Sequence, residues 1–188
     1  ASGVATNLTS IPAAAIGGVL PVGVTGGSGL TSVPTGITHF SQFKLTNTLV
    51  GGANPITSNI EEHNEDGYAG KGDPMTISSG RWTFPATGHW LITYEAEVYT
   101  NEQCPVAECY IFTTVNDSSY GEASRMNIGI TDMDEYGYNS SFCSFIFDVT
   151  DVATHKCSFN FNPSVSIGLA GNTNETLTGW TFIRLGDT

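Results

Sequence analysis

Chemistry in this chain would have to come from four histidines, two acidic clusters and a scatter of tyrosines in turn-rich segments. His39, His63, His89 and His155 stand far apart, and none pairs with a cysteine at zinc spacing. His39 and His63 are the two weighed as ligands, and a surface role is the expectation for both. Glu61-Glu62-His63-Asn64-Glu65-Asp66 runs into Gly67, and Asp132-Met133-Asp134-Glu135 runs into Tyr136-Gly137-Tyr138. Such loops can offer a hard cation several carboxylate oxygens. Neither follows the Asp-x-Asp-x-Asp-Gly pattern, so solvated loop charge is expected, with Asp132, Asp134 and Glu135 as the remaining metal candidates. No metal or cofactor is expected.

Covalent catalysis finds little support. There is no Gly-x-Ser-x-Gly elbow, phosphate-cradling glycine loop or His-Glu-x-x-His helix. Gly26-Gly27-Ser28-Gly29 has the wrong spacing for a nucleophile elbow. A retaining glycosidase needs two carboxylates about 5 Å apart across a cleft, which chain order cannot reveal. Recognition asks for less. Asn116–Tyr120 and Asp134–Tyr138 mix Tyr, Asn, Asp and Gly, which serve ordinary turns and adaptable contacts to sugar or protein alike. Tyr120, Tyr136 and Tyr138 are therefore the receptor-loop candidates.

The elements that position these residues read as strands. In His89–Tyr99, Trp90, Ile92, Tyr94, Ala96 and Val98 fall on one face, with Thr93, Glu95 and Glu97 on the other. His155–Phe161 places Cys157, Phe159 and Phe161 opposite Lys156, Ser158 and Asn160. Cys143, Phe145, Phe147 and Val149 alternate with Ser144 and Asp148. Gln42–Thr48, Arg81–Phe84, Cys109–Val115 and Trp180–Leu185 are further strand candidates, separated by Gly, Pro, Asn and Asp. No stretch offers an amphipathic helix. The expected fold is all-β, an antiparallel sandwich of the jelly-roll or immunoglobulin kind. Gly51–Ser79 is long and polar, and its strands cannot be placed from sequence.

Two strands are apolar on both faces. Trp180 and Phe182 oppose Thr181, Ile183 and Leu185, and Tyr110 and Phe112 oppose Cys109, Ile111 and Val115. A second apolar face wants a second covering layer, either the chain's own loops or a neighbouring subunit. Trp180, Phe182, Ile183, Tyr110 and Phe112 are the interface candidates on the second view.

Ahead of the strands lies a different kind of sequence. No Asp, Glu, Lys or Arg precedes Lys44, and Leu-Thr-Ser-Ile-Pro at Leu8–Pro12 returns as Leu-Thr-Ser-Val-Pro at Leu30–Pro34. Gly does not recur at every third place, so this is not collagen. The spaced aliphatics make poor linker and cannot form a core in one thin strand. Several chains side by side would bury them, with Leu8, Ile11, Leu30 and Val33 as the packing positions. A tail ordered only on contact is the alternative. Residues 1–38 are expected to form a stem and 39–188 a head.

The formal charge of −12 lies wholly in the head. It argues against nucleic acid and against anionic membrane surfaces. The apolar run Ala13–Leu20 breaks at Pro21 with no basic region before it, so neither an export signal nor a membrane span is expected. Cys104, Cys109, Cys143 and Cys157 are too few for a disulfide scaffold and are expected as reduced thiols.

Phe84-Pro85-Ala86-Thr87-Gly88-His89-Trp90-Leu91-Ile92-Thr93-Tyr94 resembles the Phe-x-x-x-Gly-x-Tyr-x-Phe signature of complement-head and tumour necrosis factor-like jelly rolls. Gly179–Gly186 resembles that family's last core strand. The two Leu-Thr-Ser-Ile/Val-Pro phrases resemble repeats ahead of the heads of tail and capsid fibres in bacterial viruses, particularly cyanobacterial ones. Together these resemblances imply a homotrimeric virion protein assembled in the host cytoplasm. Its stem would hold other virion proteins and its jelly-roll head would meet a host glycan or protein. A capsid cement protein without a receptor is the main alternative. A carbohydrate-acting enzyme with an inter-subunit site is the weaker one.

Overall fold

The computed structural model describes residues 36–131 and 136–188. Thr35–Thr188 form one compact unit, whose described residues are all strand, turn and loop. The strands are β1 (Phe40–Leu45), β2 (Leu49–Val50), β3 (Ile60–Glu62), β4 (Thr76–Ser78), β5 (Arg81–Thr83) and β6 (Gly88–Thr100). They continue as β7 (Cys104–Thr114), β8 (Gly121–Ile130), β9 (Gly137–Val149), β10 (Lys156–Pro163), β11 (Gly168–Leu169) and β12 (Gly179–Gly186). All pairings are antiparallel.

The first sheet is built on β6. Along one edge β9 pairs over the full length, from Gly88 opposite Val149 to Thr100 opposite Gly137. The other edge is shared by β12 and then β11. Beyond them lie β1 and β3 on one side and β2 on the other. The second sheet runs β4-β5-β10-β7-β8. The chain crosses between sheets at β3–β4, β5–β6, β6–β7, β8–β9, β9–β10 and β10–β11, which is the jelly-roll winding.

Between the sheets the alternation expected from sequence holds. Trp90, Ile92, Tyr94, Ala96 and Val98 all point inward and are buried, as are Cys157, Phe159 and Phe161. The centre is aromatic: Trp82 meets Phe43 edge-on at 4.8 Å, and Tyr94 stacks on Trp180 at 5.7 Å. Such offset and T-shaped pairs add about 0.5–1.5 kcal/mol each beyond their buried area. All four cysteines are free and buried among these rings.

Several boundaries differ from the sequence reading. β7 begins at Cys104 and β9 at Gly137, each well before its apolar run. β8 was not visible as a strand, because Gly121–Arg125 has no buried side chain and only Met126, Ile128 and Ile130 reach the core. Within Gly51–Ser79 the chain forms only the short β3 and β4. Its residues Gly52–Ile56 lie along β10, with Ala53 and Phe161 exchanging N–H···O bonds of 2.8 Å and Ile56 N donating to Phe159 O at 2.8 Å.

Candidate functional site

The outer face of the first sheet carries ordered rows of side chains. One row crosses four strands: Ile146 on β9, Leu91 on β6, Ile183 on β12 and Phe40 on β1. A second joins Tyr138, Tyr99, Gly168 and Val50 across β9, β6, β11 and β2. Tyr99 stacks on Tyr138 at 5.8 Å, and its ring also covers Gly168, where any Cβ would stand 2.6 Å from Tyr99 Cε1. Between the rows lie a polar waist of Ser144, Thr93, Thr181 and Gln42, with Gln42 Nε2 donating to Thr181 Oγ1 at 3.1 Å, and the carboxylates of Glu95 and Glu97, opposite Phe142 and Ser140. Val50, Tyr138, Phe142, Ile146 and Leu185 on this face are between 53 % and 74 % exposed.

Lys44 also belongs to this face by alternation, yet its side chain is fully buried. Two segments fold over it. Glu65 forms an ion pair with its ammonium, Asn64 Oδ1 accepts at 3.3 Å and Thr173 O at 2.6 Å. That pairing answers a charge which would otherwise be very costly to bury. The Lys44 hydrogen bond also holds the Glu65 carboxyl down at about 2.

His63 extends the network, with Nδ1 2.5 Å from Glu65 Oε2 and Nε2 2.6 Å from Thr176 Oγ1. A hydroxyl, an imidazole and a carboxylate in sequence resemble a nucleophile relay. Here the carboxylate is already paired with the Lys44 ammonium. The chain of contacts secures the cover over Lys44. Tyr68 braces the same corner, accepting from Gln42 N at 3.0 Å and donating to Glu62 Oε1 at 3.2 Å; burial first, then Glu62, pushes its hydroxyl up. Sequence reading took this acidic cluster as solvated loop charge. Its contact with Lys44 corrects that for Glu65.

The remaining histidines have structural partners. His39 bonds Thr38 Oγ1 and lies against Trp90, and His89 Nδ1 sits 2.8 Å from Asp187 O. His155 is buried on Phe147 and lies within hydrogen-bond distance of Thr150 and Thr154. Among the described residues no group of three His, Cys, Asp or Glu could hold a metal. Asp132, Asp134 and Glu135 lie outside the described residues, as do Leu8, Ile11, Leu30 and Val33.

The interface candidates fall in three places. Trp180 and Phe182 are core residues of their own sandwich, with at most 1 % exposed, because β12 turns its large aromatics inward. They are unavailable to another subunit, which corrects the sequence reading. Ile183 is on the outer face of the first sheet. Tyr110 and Phe112 are on the outer face of the second. Among the tyrosines, Tyr138 belongs to strand β9, not a loop, and Tyr136 directly precedes it, exposed. Tyr120 lies in the β7–β8 loop under the Arg81 guanidinium, 5.4 Å from its ring.

No protein-family model matches the chain, and no curated protein matches it in sequence. Its fold does match solved structures. Murine APRIL at pH 5.0 superposes with a TM-score of 0.54 at 11 % identity, over 78 % of this chain and 98 % of that one. Eiger TNF from S. frugiperda gives a TM-score of 0.57 at 9 % identity, over 79 % and 93 %. The head is a TNF-like jelly roll. At these identities the likeness concerns the fold alone.

Proposed function

We propose that this chain is a non-enzymatic structural protein of a bacterial virus particle. It is a homotrimer in which the N-terminal stem attaches to other virion proteins and the TNF-like head is displayed for host-surface recognition. The observation that carries self-association is the outer face of the first sheet, which leaves five large apolar side chains in solvent, three of them (Val50, Tyr138 and Ile146) on its two apolar rows. Four strands at about 4.8 Å spacing and thirteen residues at about 3.3 Å rise outline about 800 Å². That equals one partner's share of a standard specific interface. A closed threefold arrangement, in which each head meets the next through a different patch, covers such a face on every copy.

The virion setting is supported by the duplicated Leu-Thr-Ser-Ile/Val-Pro phrase of the uncharged N-terminal sequence. Three heads on one stem would strengthen individually weak contacts through avidity. Light scattering of the full chain at micromolar concentration tests the oligomer, and a monomer refutes it. Depleting the protein from particles tests the role. Lost adsorption with intact particles is the expected result; fragile particles that still adsorb would refute the recognition role in favour of cement.

A further inference from the structure

The opposite side of the head, the outer face of the second sheet, has a different character. Ser158, Asn160 and Asn162 of β10 face outward beside Phe112, Tyr110 and Glu108 of β7. On its other flank β10 is bordered by the segment Gly52–Pro55. Two hollows of about 470 and 270 Å³ meet here, sharing Asn54, Phe112 and Asn160. A third of about 530 Å³ continues past Pro55 and Arg81 to Asp117 and Lys156. The outward side chains from Lys156 to Asn162 run about 20 Å along the strand. The result is one trough with aromatic and amide walls.

Its polar atoms are unusual. Among the described residues, six buried side-chain nitrogen or oxygen atoms have no hydrogen-bond partner. Trp82 Nε1, Tyr94 Oη and Trp180 Nε1 are in the aromatic core. Of the other three, Tyr120 Oη and Asp117 Oδ1 face one another and leave Asn160 Oδ1 as the orphan; all three belong to residues lining the trough. Asn160 is only 6 % exposed although it stands on an outer face. A buried orphan acceptor is costly in a native protein and calls for an explanation.

We propose that this trough binds a neutral oligosaccharide. The inference deepens the recognition reading above and rests on it for the biological setting. Sugar hydroxyls both donate and accept, so they can satisfy Asn160 Oδ1 while donating to Tyr120 Oη and pairing with the Asn54 amide. The apolar faces of pyranose rings suit the rings of Tyr110 and Phe112. Charge argues for a neutral ligand. On the trough walls Arg81 and Lys156 are offset by Asp117 and Glu122, and beside it Arg125 is engaged by Glu108 at 3.2 Å, by Glu122 at 3.6 Å and by the Tyr110 ring. The net charge of −12 repels acidic sugars. The trough lies on the reverse of the face assigned to self-association, so one head can use both.

The test is an array of immobilised neutral, sialylated and sulfated oligosaccharides probed with the full chain. Solution titration of each retained sugar follows, against wild type, Asn160→Ala, Tyr120→Phe, Tyr110→Ala and, as control, Val50→Ser. Wild type is expected to retain a subset of neutral sugars. Asn160→Ala and Tyr120→Phe should each weaken binding about tenfold, the loss of one buried hydrogen bond. Unchanged thermal unfolding identifies variants that remain folded. Val50→Ser should bind each sugar as wild type does in titration. Retention of acidic sugars alone, of no sugar, or of sugars equally well by all trough variants overturns the proposal. Titration reads a single head, so a monomer that binds would sink the trimer and leave the trough standing, whereas a trimer that binds nothing does the reverse.

Discussion

Phe142→Ser isolates the self-association face from the fold. Phe142 stands opposite Glu95 in register and keeps 68 % of its side chain in solvent. A Phe side chain presents roughly 200 Å², so about 140 Å² is free to be covered by a neighbour. At about 25 cal/mol per Å² this is worth about 3.5 kcal/mol per copy. Three copies make about 10.5 kcal/mol per trimer, or about 7.5 decades in the trimerisation constant at about 1.4 kcal/mol per decade. Because that constant carries the square of concentration, the half-dissociation point should rise about five-thousandfold. Inside one head the change should cost no more than about 0.5 kcal/mol, as for other surface substitutions. Sedimentation or light scattering across nanomolar to millimolar protein reads the shift, and urea unfolding at a concentration where both proteins are monomeric reads the fold. Phe112→Ser, the matching truncation on the second sheet, should leave the oligomer unchanged. If Phe142→Ser dissociates at the wild-type concentration, the covered face lies elsewhere and the argument from exposed rows fails.

Three further outcomes follow from the same geometry. The Glu65 carboxyl is depressed from 4.5 to about 2, chiefly by Lys44. Its contribution is therefore present above pH 4.5 and lost as pH falls towards 2. The stability gap between wild type and Glu65→Gln should be constant at neutral pH and close over that acid window; a gap independent of pH would mean that the ion pair is not its source. A Cβ at Gly179 would stand 2.7 Å from both Phe43 O and Thr176 Cγ2, so Gly179→Ala should destabilise by about 1–3 kcal/mol through overpacking. An unchanged melting temperature counts against the close β1–β12 approach. Burial pushes the Cys109 thiol up to about 12 and Cys143 to about 11, and raises Cys157 well above its usual value. A thiol reagent should find no accessible cysteine in the folded head and four after denaturation, and fast labelling of any native thiol would contradict the packing.

What could be read in the sequence depended on whether a strand's neighbours were dry on one side only. β6 has one dry face and one mixed face, so its period of two is plain, and all five inward residues were identified from it. The first half of β8 buries no side chain fully, with only Ala123 packed against the core, and Gly121-Glu122-Ala123-Ser124-Arg125 carries no periodic signal. β3 exists because Phe43, Lys44 and Leu45 pair with Glu62, Glu61 and Ile60. Nothing in Ile-Glu-Glu itself asks to be a strand. The same holds for the site. Lys44 is conspicuous as the first charge in the chain, but its burial is decided by Glu65 and Thr173, residues distant in sequence that only the fold brings to its ammonium. Tyr138 was read as a loop residue because acidic residues and Gly137 precede it, whereas thirteen consecutive pairs with β6 make it part of the sheet.

The two doubly apolar strands were one signal in the sequence and prove to be two different statements about partners. On β12 the second apolar face is aliphatic, and Ile183 continues a row of Ile146, Leu91 and Phe40 with no orphaned polar atom among the described residues around it. A surface of that kind gains only by excluding water, so its natural partner is another apolar surface. On β7 the second face is aromatic, set among amides, and next to a buried oxygen that lacks a hydrogen bond. Covering that face with a dry aliphatic patch would strand Asn160 Oδ1 permanently, at about 1–3 kcal/mol. A hydroxylated ligand relieves the same atom. Polar satisfaction, which sequence cannot display, thus separates the face that should close against a copy of this chain from the face that should stay open.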